Sequence, residues 1–236
     1  MRLAVIPARG GSKRIPRKNI RAFCGKPMMA WTIEAAQKSF CFDRIVVSTD
    51  DEEIANVAWK CGAEVPFLRP LEISDDYTGT VPVVAHAIRT LQAQGALLDK
   101  VCCIYATAPF LQGSDLSQGL KVLEQSGADF AFSVTRYEFP IQRAIRIANS
   151  GRVEMFYPEN FNTRSQDLEA AYHDAAQFYW GQADAWLSAK TIFSQHATPV
   201  ILPHNRVQDI DTPEDWLSAE LKFKMLLGAS EGMKKC

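Results

Sequence analysis

Arg9, Lys13, Arg14, Arg17, Lys18 and Arg21 crowd positions 9 to 21, a stretch that holds no acidic residue. The whole chain carries a formal net charge of only −1, so this concentration of cations needs a local reason. Cations at such density suit a compact polyanion, and a nucleoside triphosphate is the natural candidate. Gly10 and Gly11 let backbone N–H groups approach an anion closely, and the small Ser12 adds a hydroxyl donor. A nucleic-acid patch or a solvated face is the bland alternative. Such patches lie along a helix or a tail. This one follows the apolar run 3–6, where an open α/β sheet places its ligand crevice. It contains neither Gly-x-x-x-x-Gly-Lys-Ser/Thr nor Gly-x-Gly-x-x-Gly, which disfavours a P-loop ATPase or a dinucleotide dehydrogenase.

Asp209-Ile210-Asp211 is the second chemical feature. On an extended segment, carboxylates at i and i+2 share a face. Paired oxygens of that kind suit Mg²⁺, which takes one or two carboxylates together with phosphate and water. Asp211 also directly precedes Thr212 and can equally support a helix cap. Arg69 opens a polar loop that ends at Thr80, read as the cap of the next helix, whose hydroxyl or free N–H groups can hold a base or ribose. Thr107-Ala108-Pro109 follows a strand at the same crevice end. The four histidines lack metal-ligand spacing with one another, and no Ser–His–Asp or Cys–His nucleophile set is readable.

These groups must be held by alternating elements. Helical periodicity covers 28–40, 81–91 and 115–123, with buried strands at 44–48, 101–105 and 130–134. Acids 50–53 read as the N-cap and first turn of a helix ending at Gly62. Residues 64–68 read as a short strand. Strands resume at 177–180 and 199–202, and Thr212-Pro213 starts a last helix reaching about Leu227, with Lys234 and Lys235 as a frayed tail. The expectation is one α/β domain over 1–236, a doubly wound, mainly parallel sheet. It carries an inserted arm at 136–176, with Gly151 turning a hairpin; an insertion of that kind is a lid or a dimer arm. A chain 47% hydrophobic and 22% charged is ordinary for a globular enzyme. The run 3–6 is too short for a signal core, no span suits a membrane, and six cysteines show no paired spacing. A reduced, cytoplasmic protein is expected, without nucleic-acid or membrane partners.

Together these segments resemble the CMP–sialic acid synthetase family of cytidylyltransferases over nearly the whole chain, from Ile6 to Trp216. The anchors are Ala8-Arg9-Gly10-Gly11-Ser12-Lys13 with Pro16, Lys18 and Asn19, then 46–50, 68–70, 107–109 and 209–212. The resemblance implies a nucleotidyltransferase-like α/β fold and a loop (Ala8 to Ser12, Lys18, Asn19) that wraps the triphosphate of CTP. It puts Arg9 and Lys18 on phosphate oxygens and Arg69 and Thr80 near the nucleoside. It makes Asp209 and Asp211 a Mg²⁺ site, and makes the arm a homodimer contact.

The acceptor it implies is a nine-carbon α-keto acid sugar. Where sialic acid enzymes carry Leu-Gln-Pro-Thr-Ser-Pro and Arg-Pro-Asn-Gly-Ala-Ile-Tyr, this chain departs at 104–109 and 173–179. Residues 139–143, 164–169 and 172–174 are similar to the branch that activates pseudaminic acid, with Ala176 where glycine is expected. Sugar contacts are therefore expected from Tyr105, Thr107, Gln142, Arg143, Arg164, Gln166, His173, Gln177 and Tyr179. The implied reaction is attack by the sugar's anomeric hydroxyl on the α-phosphorus of CTP with loss of diphosphate. Arg9, Lys18 and Asp211 serve as its catalytic residues. A sialic, legionaminic or ketodeoxyoctonic acid is the alternative acceptor, and a non-catalytic nucleotide-binding module the alternative class.

Overall fold

The structure is a computed structural model that describes residues 1–233; Lys234 and Lys235 lie outside them. In chain order the elements begin with β1 (Arg2–Pro7), the short hairpin β2 (Ala22–Phe23) and β3 (Lys26–Pro27), α1 (Met28–Ser39), β4 (Arg44–Ser48) and α2 (Glu52–Lys60). There follow α3 (Thr80–Ala93), β5 (Lys100–Ile104), α4 (Gly113–Ser126) and β6 (Phe130–Arg136). The arm carries β7 (Ile145–Ile147) and β8 (Val153–Met155). The chain closes with β9 (Tyr172–Gln182), α5 (Ala183–Leu187), β10 (Ala197–Ile201) and α6 (Pro213–Met233). No helix among the described residues is long and apolar enough to cross a membrane.

The main sheet runs β10-β6-β9-β5-β1-β4. β1 pairs in parallel with β4 and β5, and β6 pairs in parallel with β10. Its strands read as continuous apolar runs because both faces are covered. Ala4 and Ile6 of β1 join the core under α1, α2 and α4, whereas Leu3 and Val5 join the core under α3 and α5. A third cluster packs Trp216, Ala219 and Phe223 of α6 onto Ile15, Phe23 and Met28, which fixes the end of the basic loop against the last helix. Gly119 permits α4 its close approach to the sheet, since a Cβ there would stand 2.6 Å from the Phe178 ring.

One strand opposes the rest. β9 pairs antiparallel with both β5 and β6. The chain leaves β6 at Arg136 and returns opposite it at Tyr172, and the Tyr137 N–H donates to the Ala171 carbonyl at 3.0 Å. A connection that leaves and re-enters the sheet at the same end of its strands forces the return strand to run backwards. The arm is thus 137–171, shorter than the expected 136–176, and its hairpin turns at Gly151 with φ +76°. Within β9, four residues between Asp174 and Tyr179 oppose only Ser133 of β6. Ser133 Oγ accepts the N–H groups of Gln177 and Phe178, and Ala176 sits at φ +51°. That left-handed backbone is the physical reason glycine is expected there.

Two boundaries differ from the sequence expectation. Residues 64–68 make only two isolated bridges beside β4, Val46 with Glu64 and Thr49 with Leu68. α3 begins at Thr80 itself, with Gly79 as its N-cap and no side-chain cap bond. The acids before α2 do cap it, through Asp51, which accepts from the Ile54 N–H.

Candidate active site

A cleft of about 500 Å³ opens at the carboxyl ends of β1 and β5, where strand order reverses about β1. Open α/β sheets bind ligands at such a switch point. The loop after β1 gives the cleft Arg9, Ser12, Lys13, Arg14, Lys18 and Asn19; Arg69, Thr80, Tyr105, Thr107 and Asp211 also line it. Two of the six loop cations serve the scaffold. Arg17, at φ +56°, ties the loop to Asp51 at 2.5 Å and to Glu53, and Arg21 lies over the Trp216 ring at 4.7 Å.

The remaining cations are paired with the cleft's own acids. Arg9 donates to the Asp75 carbonyl (2.9 Å) and to Asp76 (2.5 Å), and Lys13 also reaches Asp76 at 2.5 Å. Lys18 donates to the Ile210 carbonyl (2.6 Å) and to Asp211 (3.2 Å), while Arg14 stands 3.1 Å from the other Asp211 oxygen. Solvent-accessible pairs of this kind are weak and readily exchanged.

Arg69 differs, being 5% exposed. Its Nε donates to Ser74 at 3.1 Å and its guanidinium lies 3.6 Å from Asp50, yet Nη2 makes no hydrogen bond. Burial above all pulls its pKa down, with Asp50 opposing. A buried guanidinium with an unmatched donor at a cleft wall is suited to an incoming acceptor. Asp50 also accepts the Gly10 N–H at 3.0 Å. Gly10 therefore faces α2, where a Cβ would meet Asp51 at 2.6 Å, and its N–H is not offered to the cleft as the sequence suggested. Ala8 is buried, and Gly11 does not line the cleft.

The structure separates the two roles open to Asp211. The cap of α6 is made by Thr212 Oγ1 accepting the Asp215 N–H (3.1 Å) and Asp215 accepting from Thr212 (2.8 Å). The Asp211 carboxylate takes no part and faces Lys18 and Arg14. Ile210 is fully buried between the two acids, so Asp209 and Asp211 project together away from the core. Asp209 keeps solvent access, but partial desolvation and then the Asp211 charge raise its carboxyl above the ordinary range. A cation would relieve that repulsion. No cluster of three or more His, Cys, Asp or Glu forms among the described residues, so this pair would need outside oxygens to complete an ion's shell.

Thr80 Oγ1 lies 3.0 Å from the Tyr105 hydroxyl. Tyr179 is buried beneath Tyr105, with ring centroids 5.4 Å apart. Of the expected sugar residues only Tyr105 and Thr107 line the cleft. Gln142 donates to the Glu169 carbonyl, Arg143 to the Phe161 carbonyl, and Arg164 pairs with Asp167, all inside the arm. Gln166 lines a separate cavity of about 290 Å³ between 136–140 and 165–171. His173 packs on Tyr137 at 4.8 Å, and buried Gln177 donates to the Arg206 carbonyl at 2.6 Å. Sequence reasoning assigned no site role to Asp50, Asp75 or Asp76. The one available signal was Asp50, an acid just after a buried strand at the crevice end.

Fold and cleft together define an α/β protein with a cationic cleft at the sheet's switch point, whose basic loop is neither a P-loop nor a dinucleotide fingerprint. Residues 3–226 match the sequence pattern of the cytidylyltransferase family, and the chain belongs to that family. It is 48% identical to a pseudaminic acid cytidylyltransferase of Campylobacter jejuni, over 94% of this chain and 96% of that protein. It is 34% identical to a CMP-N,N'-diacetyllegionaminic acid synthase of Legionella pneumophila, over 92% and 94%. In three dimensions it resembles a CMP:2-keto-3-deoxy-manno-octonic acid synthetase complexed with CTP, at TM-score 0.69 and 15% identity, over 95% and 98% of the two chains. That last likeness is one of fold.

Proposed function

We propose that this cytidylyltransferase couples CTP to pseudaminate, giving CMP-pseudaminate and diphosphate. The observation that carries the nucleotide half is the convergence of Arg9, Lys13, Arg14, Lys18 and Arg69 on one cleft that also holds Asp211. The triphosphate displaces Asp76 and Asp211 from their cations and takes their place. Arg9 and Lys18 then stand against phosphate oxygens on which charge develops as diphosphate leaves. The unmatched Arg69 donor and Thr80 serve the nucleoside. The attacking oxygen is the sugar's anomeric hydroxyl; its bond to the α-phosphorus forms as the bond to diphosphate breaks.

The donor set suits Mg²⁺, with Asp209 and Asp211 as its protein ligands and substrate oxygens and water as the rest. When bound, such an ion supplies charge neutralisation for the phosphates.

The sugar half rests on the 48% identity to the Campylobacter enzyme against 34% to the legionaminate enzyme, together with the residues at 104–109 and 173–179. Diphosphate release from CTP, measured against pseudaminate, N-acetylneuraminate, N,N'-diacetyllegionaminate and ketodeoxyoctonate, tests it. Pseudaminate should be turned over with by far the highest kcat/KM. Equal efficiency with N-acetylneuraminate would refute the sugar, and silence with all four would refute the reaction.

A homodimer through the arm belongs to the same reading. Phe139, Ile147, Val153 and Phe161 are each about two-thirds or more exposed there, an apolar surface costly to leave in water. A second copy on that surface would bring Arg143 or Arg164 toward a neighbouring cleft that neither reaches in its own chain. Light scattering should give about twice 26.3 kDa. A fully active monomer would remove the arm from the site.

A further inference from the structure

Asp211 reaches the cleft on a stretch with little regular structure of its own. Between β10 and α6 the chain makes a single short helical turn, at His204–Arg206. Irregular backbone that packs against a core needs partners from elsewhere. Here four carbonyls receive them from four places. Thr135 of β6 donates to the Leu202 carbonyl at 3.0 Å, and Gln177 of β9 to that of Arg206 at 2.6 Å. Lys222 of α6 donates to that of Val207 at 3.1 Å, and Lys18 of the basic loop to that of Ile210 at 2.6 Å.

Two side chains also tie this stretch to the loop after β5, which brings Tyr105 and Thr107 to the same cleft. Gln177 joins the two with both its ends. Its main-chain carbonyl accepts the Tyr105 N–H at 2.9 Å, while its side chain holds Arg206. Arg206 joins them again through its guanidinium, which donates to both Asp115 oxygens at 2.6 and 2.9 Å and to the Phe110 carbonyl at 3.4 Å. Asp115 in turn accepts the Gln112 N–H at 3.0 Å, where the loop enters α4. The ties close a ring from loop 105–112 through Gln177, Arg206 and Asp115 back to the loop. Gln177 is 2% exposed, and among the described residues its Oε1 has no hydrogen-bond partner. An apolar side chain would avoid that cost, so the amide serves through its nitrogen. None of Gln177, Arg206 and Asp115 lines the cleft.

We infer that Arg206, held by Gln177, is a positioning residue. It fixes the loop bearing Tyr105 and Thr107 against the segment bearing Asp209 and Asp211, and so aligns acceptor and nucleotide for in-line attack. This inference rests on the reaction proposed above. Alignment tolerates little error, because a shift of about 1 Å between reacting groups costs up to about 100-fold in rate.

Arg206→Lys keeps a charge beside Asp115 but cannot span both its oxygens and the Phe110 carbonyl. In a single turnover it should form CMP-pseudaminate about 10- to 100-fold more slowly, with the KM for CTP and that for pseudaminate each within about threefold. A merely structural pair would lower Tm and leave that rate alone. Arg206→Met combined with Asp115→Asn separates the two roles. No charge is stranded and the Asn amide oxygen still accepts from Gln112, so Tm should stand above that of Arg206→Met alone. The rate should stay low. A rate that recovers with Tm overturns the inference, and so does a loss carried chiefly in the KM for either substrate. Should these variants fail to fold, Gln177→Met decides, since it leaves the ion pair intact. It should slow the single turnover at least about fivefold, and an unchanged rate overturns the inference.

Amide exchange tests the ring apart from the reaction. Gln177→Met, or the charge-free pair, should speed hydrogen–deuterium exchange at 105–112 and 203–211 together, with β4 and α2 unchanged. Faster exchange at one stretch without the other, or at neither, overturns the inference even in an inactive enzyme. A wild type that releases no diphosphate with any keto acid sugar refutes the proposed function instead.

Discussion

Lys18→Ala removes a side chain with two separable functions. Its Nζ lies 2.6 Å from the Ile210 carbonyl and 3.2 Å from Asp211, and its side chain is 18% exposed. A unit charge about 4 Å from a phosphate oxygen, at an effective dielectric of about 20, is worth about 4 kcal/mol. The share realised only as charge develops on the leaving diphosphate is about 2–4 kcal/mol, a loss of about 30- to 900-fold in kcat/KM. Separately, the carbonyl of buried Ile210 loses its donor, which costs about 1–3 kcal/mol unless water replaces it. For a chain of this size each kcal/mol lowers Tm by about 2–4 °C. The variant should therefore melt several degrees early, yet remain folded at the assay temperature and release diphosphate two orders of magnitude more slowly. Lys18→Arg should recover part of the rate, because charge is kept while point-like geometry is not. Diphosphate release by Lys18→Ala within about twofold of wild type would remove the basic loop from the chemistry.

Three further expectations follow from other contacts. Asp211→Ala should abolish activity with little change in Tm, because α6 is capped by Thr212 and Asp215; EDTA should silence the wild type and added Mg²⁺ restore it, and full activity in chelator would exclude a metal role for the pair. Arg206→Ala strands Asp115, to which Arg206 donates twice at 2.6 and 2.9 Å with side chains 15% and 9% exposed, and should cost about 3–5 kcal/mol in denaturant unfolding; under about 1 kcal/mol would mean that water compensates the pair. The Arg17 hydrogen bond foremost holds the Asp51 carboxyl below its ordinary pKa, so its contribution is present above about pH 4 and lost as pH falls through the lower folded value. The Tm gap between wild type and Asp51→Asn should accordingly narrow from about pH 5 to pH 3, and a constant gap would show that Arg17 does not act through that charge.

Much of the architecture was legible because its causes are local. The β1 run, the helix at 28–39, the strand at 44–48, the Asp51 cap and the Thr212-Pro213 start all follow from periodicity, capping chemistry and the fixed φ of proline. That the basic loop and Asp211 share one cleft was legible for the same reason: residue type and spacing alone aim several cations, or two carboxylates, at one place. The family followed from those anchors. What the sequence left open concerns partners distant in the chain. Nothing local tells that β9 runs antiparallel, since direction is set by where the arm returns the chain. Nor does it tell that Arg17 and Arg21 are spent on the scaffold, or that Asp50 leaves the α2 cap to hold Gly10 and Arg69. Thr80 and Tyr105, 3.0 Å apart at the cleft wall, likewise meet only in the folded chain. A side chain's chemistry is written in its own residue, but the atom it meets is chosen by packing through space, and that choice decides which charges remain for a ligand.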